Sequence, residues 1–158
     1  MADEKMTALA ARMYAQLCAT LDNRNWRYEK DEEKKLVHFR VSGDDLPMNL
    51  IVIVDTDRQA VRVLAPLDYK MPEDKRMEGA IATCVASYGM VDGSFDYDLS
   101  NGRISFRMTA SFRDSILGER LFAYLIDCSC AMVDQYNDKF LALGKGMISI
   151  NDFINQEN

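Results

Sequence analysis

Hydrophobic positions recur with two different periods along the chain, and the change of period predicts where helices give way to strands. Residues 3–21 carry apolar side chains three and four positions apart, which is typical of an amphipathic helix. The same spacing returns in residues 72–88 and 115–143, and glycines at positions 89 and 144 end both patterns. We therefore predict three main helices.

Shorter segments with apolar residues at alternate positions predict strands. They are residues 26–29, 36–41, 48–54, 59–66, 94–99 and 104–109. Residues 55–58 and the dipeptide Asn101-Gly102 favour tight turns, so each is expected to close a hairpin. The pairs expected from these turns are Val52 with Val61 and Tyr97 with Phe106.

The order of these elements is α-β-β-β-β-α-β-β-α, which predicts an α+β fold with an antiparallel sheet. The sequence shows no internal repeat, no low-complexity segment and no linker, so residues 1–158 are expected to form a single domain. The tail, residues 149–158, is expected to add a short docked turn.

Strand 48–54 is unusual because only Asn49 is polar among its seven residues. Its second face, with Ile51 and Ile53, should continue into Leu36 and Leu64 of the neighbouring strands. Burying four such side chains is worth on the order of 6–12 kcal/mol, so something should cover them. We expect the cover to be the helix of residues 72–88, a second copy of the chain, or a segment of another protein.

The candidate partner-binding residues follow from this face and from the second helix. On the sheet they are Leu36, His38, Ile51, Ile53 and Leu64. On the helix of residues 72–88 they are Met77, Ile81 and Val85, which we expect to be shared between the core and a dimer contact.

The charge balance limits the classes of partner. Lys and Arg number 19 against 25 Asp and Glu, which gives a formal net charge of −6. Such a chain is repelled by nucleic acid and by anionic membranes, and the sequence shows no basic patch to reverse this. The first residues lack a continuous apolar run, so neither a signal peptide nor a membrane span is predicted and a cytoplasmic location is expected.

No residue pattern specifies chemistry, so we predict no catalytic residue, no metal site and no cofactor. Cys128 and Cys130 lie about 200° apart around a helix and cannot chelate one ion. His38 is the single histidine, which leaves no base for a nucleophile elsewhere. The aspartates at 92, 96 and 98 lack the rest of a calcium loop. The cysteines are expected to be reduced core thiols.

The second half of the chain resembles a known family. The residues concerned are IATCVASYGMVDGSFDYDLSNGRISFRMTASF and LFAYLIDCSCAMVDQYNDKFLALGKG. They are similar to the YbjN-type domain family of bacterial proteins, which are described loosely as sensory-transduction regulators. The element order is also similar to the type III secretion chaperone-like fold. This resemblance implies a small acidic homodimer that binds other proteins and has no catalytic residues.

These observations favour a non-enzymatic protein-interaction module. It is expected to form a homodimer and to bind a segment of an unidentified client protein through apolar patches. Two alternatives stay open. One is a thiol-based sensor that uses Cys84, Cys128 and Cys130. The other is a small apolar ligand bound between the sheet and the long helix, where some of the ten methionines would form an adaptable surface.

Overall fold

The computed structural model describes residues 2–157. The helices are α1 (Ala2–Asn23), α2 (Arg76–Tyr88), α3 (Glu119–Gly144) and α4 (Ile150–Gln156), with a 3-10 turn at Glu73–Lys75. The strands are β1 (Glu29–Asp31), β2 (Leu36–Ser42), β3 (Pro47–Asp55), β4 (Ala60–Lys70), β5 (Ser94–Asp98) and β6 (Arg103–Ser111). The predicted element order is confirmed, and the tail forms a short helix, α4.

The six strands form one antiparallel sheet in the order β1-β2-β3-β4-β6-β5. The predicted α+β class is therefore confirmed. The first strand begins at Glu29 and not at Trp26, because Asn25 has a positive φ of 55° and the Trp26 amide still donates to the Leu21 carbonyl at the helix end.

The main core lies on one side of the sheet, beneath α1 and α3. Alternate residues of the strands point into it, and Leu50, Val52 and Val63 are completely buried. Met13 and Leu17 of α1 meet them from the helical layer. Burial therefore alternates along β3 although its sequence is almost entirely apolar, because the intervening residues are only half-buried.

Both hairpins keep the predicted faces but not the predicted register. Val52 pairs with Val63 and not with Val61, because residues 56–59 form a four-residue loop in which Gln59 has a positive φ. Asp55 Oδ1 stabilises this loop by accepting from the Arg58 amide at 3.0 Å. The shift amounts to two residues, which leaves every side chain on its expected face.

The β5–β6 hairpin shows the same shift. Tyr97 pairs with Ile104 and not with Phe106, and residues 99–102 form the loop. Only Gly102 takes a positive φ, of 77°, whereas the predicted two-residue turn needs it at both central positions. Asp98 holds the loop by accepting from the Ser100 amide at 3.0 Å and from its hydroxyl at 2.6 Å.

Helix α2 packs through its small residues. Gly79, Ala82, Thr83 and Ala86 are buried and lie on one face of the helix. A Cβ at Gly79 would lie 2.6 Å from Met71 Cγ, so the backbone approaches its neighbours closely. The prediction that the large apolar residues of α2 share in the core is therefore wrong for Met77 and Ile81, which point to solvent.

Candidate partner-binding site

The open face of the sheet is the side that carries Leu36, Ile51, Ile53 and Leu64. Within residues 2–157 no helix covers it, because α1 and α3 pack on the opposite side. Helix α2 packs instead against β5, α3 and α4, and the Ser87 hydroxyl accepts from the Phe95 amide at 2.9 Å. The expectation that α2 folds over Ile51 and Ile53 is therefore wrong.

Four predicted residues meet at the centre of the open face. Leu36 lies opposite Ile53 on the neighbouring strand, and Ile51 lies opposite Leu64. All four side chains are half-buried, and they shield one another without joining the main core. They form a contiguous aliphatic patch, which a partner could cover at little conformational cost since the strands are already ordered.

Ion pairs surround this patch on three sides. His38 Nε2 lies 3.5 Å from Glu29 and Arg40 lies 3.0 Å from Asp68. In addition, Arg62 lies 3.2 Å from Asp55 and Arg107 lies 2.7 Å from Asp96. The three arginines of the border are therefore each paired with a carboxylate within the face. A partner that covers the patch with apolar surface therefore does not have to pair these three arginines.

Asp55 shows how the border is held in place. Its carboxylate lies beside both Arg58 and Arg62. The backbone amide of Arg58 and the two guanidinium groups hold the pKa of Asp55 below its ordinary value, although burial acts in the opposite direction. The carboxylate therefore stays ionised at neutral pH and keeps Arg62 along the edge of the patch.

A second apolar surface lies on the outside of α2. The outer stripe consists of Met77, Ile81, Cys84 and Tyr88, spaced so that all four share one side of the helix. Met77 is 65% exposed, Ile81 43% and Tyr88 94%. Val85, the third helix residue predicted to bind a partner, is half-buried beside this stripe. The stripe is directly opposite the small buried residues.

A groove of about 680 Å³ opens between the C-terminal end of α2, helix α3 and α4. Its walls are apolar and aromatic, and Tyr88, Met90, Tyr124 and Met132 contribute to them. Two acidic residues, Asp92 and Glu157, also line the groove. The sequence pattern does not predict this groove, because its residues come from three separate segments and α4 was expected only as a turn.

The two carboxylates of the groove have different surroundings. Asp92 accepts a short hydrogen bond from Tyr124, which raises the pKa of Tyr124 to about 12. Glu157 accepts from Tyr136 at 2.6 Å and from Lys139 at 2.9 Å. Burial opposes ionisation of Glu157, but these hydrogen bonds hold its pKa below the ordinary value.

The four thiols are free, and their settings differ. Cys84 is exposed on the outer stripe, so the prediction that it is a core thiol is wrong. Burial raises the pKa of Cys130 to about 11 and also raises that of Cys128. A high pKa leaves little thiolate at neutral pH, which disfavours the thiol-sensor alternative at these two positions.

The remaining candidate residues have structural partners. Asp96 forms a bidentate pair with Arg107, and Asp98 holds the hairpin loop. Within residues 2–157 no group of three or more His, Cys, Asp or Glu side chains is arranged to hold a metal ion. None of the helices in that range is long and apolar enough to cross a bilayer.

Comparison with known proteins places the fold. The chain is similar to a chain of the ExsC–ExsE complex, with a TM-score of 0.57 and 10% identity over 82% of this chain and 94% of that one. It is also similar to a chain of the HopA1–SchA chaperone–effector complex, with a TM-score of 0.52 and 10% identity over 80% of this chain and 95% of that one. The fold is therefore that of type III secretion chaperones, as predicted. No protein-family model and no curated protein matches the chain.

Proposed function

We propose that the protein is a non-enzymatic interaction module that binds a segment of another protein on the open face of the sheet. The observation that carries this proposal is the aliphatic patch of Leu36, Ile51, Ile53 and Leu64, which no helix in residues 2–157 covers. The likeness to a chain of a chaperone–effector complex supports a protein client. The patch lies on an ordered sheet, and the arginines at its border are already paired, which suits an apolar client segment.

A selection of peptides from a random library tests this function. Peptides that bind the wild-type protein should lose at least about tenfold in affinity for a variant with Ile51→Thr and Ile53→Thr, since about 1.4 kcal/mol of apolar contact corresponds to that factor. Threonine keeps the β-branched shape, so the sheet should stay folded. Ile116→Thr is the control, because Ile116 is 56% exposed and lies outside the face. Equal affinity for all three proteins, or no binding peptide at all, would contradict the proposal.

We propose further that the protein is a homodimer joined through the outer stripe of α2. Met77, Ile81 and Tyr88 are uncharged and exposed, and they lie on a single side of an ordered helix. If two copies pack antiparallel about a twofold axis, Ile81 and Cys84 lie near the axis. Met77 then faces the second copy's Tyr88, and a thioether against an aromatic ring is a favourable contact.

Analytical ultracentrifugation at micromolar concentration tests the dimer. We expect a dimer for the wild-type protein and a monomer for Ile81→Glu, because the substitution places two like charges near the axis. Ile116→Glu makes the same chemical change at another exposed isoleucine and should stay dimeric. A short bismaleimide should also join two copies through Cys84. A monomeric wild-type protein, or a dimeric Ile81→Glu variant, would refute this interface.

The wider assignments are proposals of the same kind. We propose that residues 1–158 form one domain, that the protein is bacterial and cytoplasmic, and that it belongs to the YbjN-type family. The negative net charge and the residues quoted from its second half support these proposals.

A further inference from the structure

We propose that the groove between α2, α3 and α4 is a binding site for a small amphiphilic organic cation, a molecule with an apolar body and one positive charge. This site lies apart from the open face of the sheet and does not depend on the proposed client binding. Its volume of about 680 Å³ is within the range of about 300–1,000 Å³ typical of ligand sites.

The lining selects for an apolar body. Met90 and Met132 contribute flexible thioethers, and Val85 and Ile154 contribute aliphatic surface. Methionine side chains adapt their shape to a ligand, which suits a site open on one side. Helix α3 fixes Met132 and Tyr124 on a regular scaffold, so the groove exists before any ligand arrives.

The charges select for a cation. None of the residues that line the groove is basic, whereas Asp92 and Glu157 are acidic. Glu157 is already paired with Lys139, but Asp92 forms no ion pair within residues 2–157. Asp92 is therefore the carboxylate with charge left to attract a ligand.

The aromatic rings act in the same direction. Three tyrosines, Tyr88, Tyr124 and Tyr136, line the groove, and the faces of aromatic rings attract cations. The Lys139 ammonium already lies 5.1 Å from the centre of the Tyr136 ring. Tyr124 lies outside the proposed dimer stripe and carries no such cation among the described residues, so its ring is free to contact one.

Two ions of nearly equal size and opposite charge provide the test. Tetraphenylphosphonium and tetraphenylborate have the same apolar shape, so calorimetric titration with each separates the effect of charge from that of hydrophobic burial. We expect the phosphonium ion to bind at least about fivefold more tightly than the borate, because the attraction of one unit charge about 4 Å from a carboxylate in water gives that factor and repulsion of the borate adds to it. Asp92→Asn should remove most of this difference, and Tyr124→Phe should keep it because the ring is retained.

Asp57→Asn is the matched control, since it removes the same charge from the exposed β3–β4 loop. The bound phosphonium ion should also slow the modification of Cys84, which lines the groove, and leave Cys18 unaffected. Sedimentation of the Ile81→Glu variant in the presence of the ion shows whether the ion causes two copies to associate. Protection of Cys84 by the bound ion is thereby distinguished from protection by dimer formation. Equal binding of both ions, an unchanged preference in Asp92→Asn, or no binding would overturn the proposal.

Discussion

Gly79 offers the sharpest test of how α2 is oriented. It lies on the inner face of the helix, where an added Cβ would be 2.6 Å from Met71 Cγ and 2.7 Å from Tyr97 Oη. The first distance is 0.8 Å less than the 3.4 Å at which ordinary contact begins. Gly79→Ala must therefore move Met71, Tyr97 or the helix itself.

The expected cost combines three effects. Overpacking a close contact costs about 1–3 kcal/mol. Displacing Tyr97 also weakens the 2.8 Å hydrogen bond that its hydroxyl donates to the Arg76 carbonyl, which is worth about 1 kcal/mol. Alanine is better than glycine inside a helix by about 1 kcal/mol, which offsets part of the loss. We expect a net loss in the free energy of unfolding of about 1–3 kcal/mol.

Urea denaturation followed by circular dichroism measures this change, and Gly89→Ala is the control. Gly89 ends the same helix, has a negative φ, and has no atom within 4 Å of its virtual Cβ. Its substitution should change the free energy of unfolding by less than about 0.5 kcal/mol. If Gly79→Ala instead stabilises the protein by about 1 kcal/mol, the higher helix propensity of alanine accounts for the whole change. The small face of α2 would then not be the packed face, and the outer stripe would lose its support.

Three further results are expected. Val52→Thr should lower the free energy of unfolding by about 1–3 kcal/mol because it buries a hydroxyl in the core. Ile53→Thr should lower it by less than about 1 kcal/mol, since Ile53 is only half-buried. Similar urea midpoints for the two variants would show that the second face is covered. A mild thiol reagent should modify Cys84 quickly in the folded Ile81→Glu variant, which is expected to be monomeric, and Cys130 only on unfolding. Rapid loss of all four thiols would contradict their placement. The pKa of Glu157 is lower in the folded state than in the unfolded chain. Its contribution to the free energy of unfolding is therefore present above the unfolded pKa, near 4.3, and is lost as the pH falls through the folded value. Proteolysis near α4 should rise in acid for the wild-type protein, and a Glu157→Gln variant should lack this pH dependence.

The helix α2 shows where reading the pattern of apolar residues fails. Met77 and Ile81 belong to the stripe of larger side chains, so the pattern predicted that they share in the core. The helix packs instead through small residues, since only these let it approach Met71 and Tyr97 closely. Thr83 is accommodated because its hydroxyl donates within the helix, to the Gly79 carbonyl at 3.0 Å. When both sides of a helix are apolar, periodicity alone does not say which one is buried.

The sheet was predicted more successfully, and for a physical reason. Side chains alternate between the two faces of a strand, so a register shift of an even number of residues keeps each one on its face. The shift of two residues in both hairpins therefore left Ile51 and Ile53 where they were expected. The loops themselves depend on local hydrogen bonds, such as those of Asp55 and Asp98, which the residue types alone did not specify. The groove was missed because its three walls are distant in sequence.

The exposure of the isoleucine methyl groups tests the account most directly. In methyl-labelled isolated protein, a soluble gadolinium chelate should broaden the signals of Ile51 and Ile53, as it should that of the exposed Ile116. The signals of Ile104 and Ile126 should persist, because both side chains are buried. If Ile51 and Ile53 are as protected as Ile104, the chain covers its own sheet on both sides and no apolar patch is left for a client.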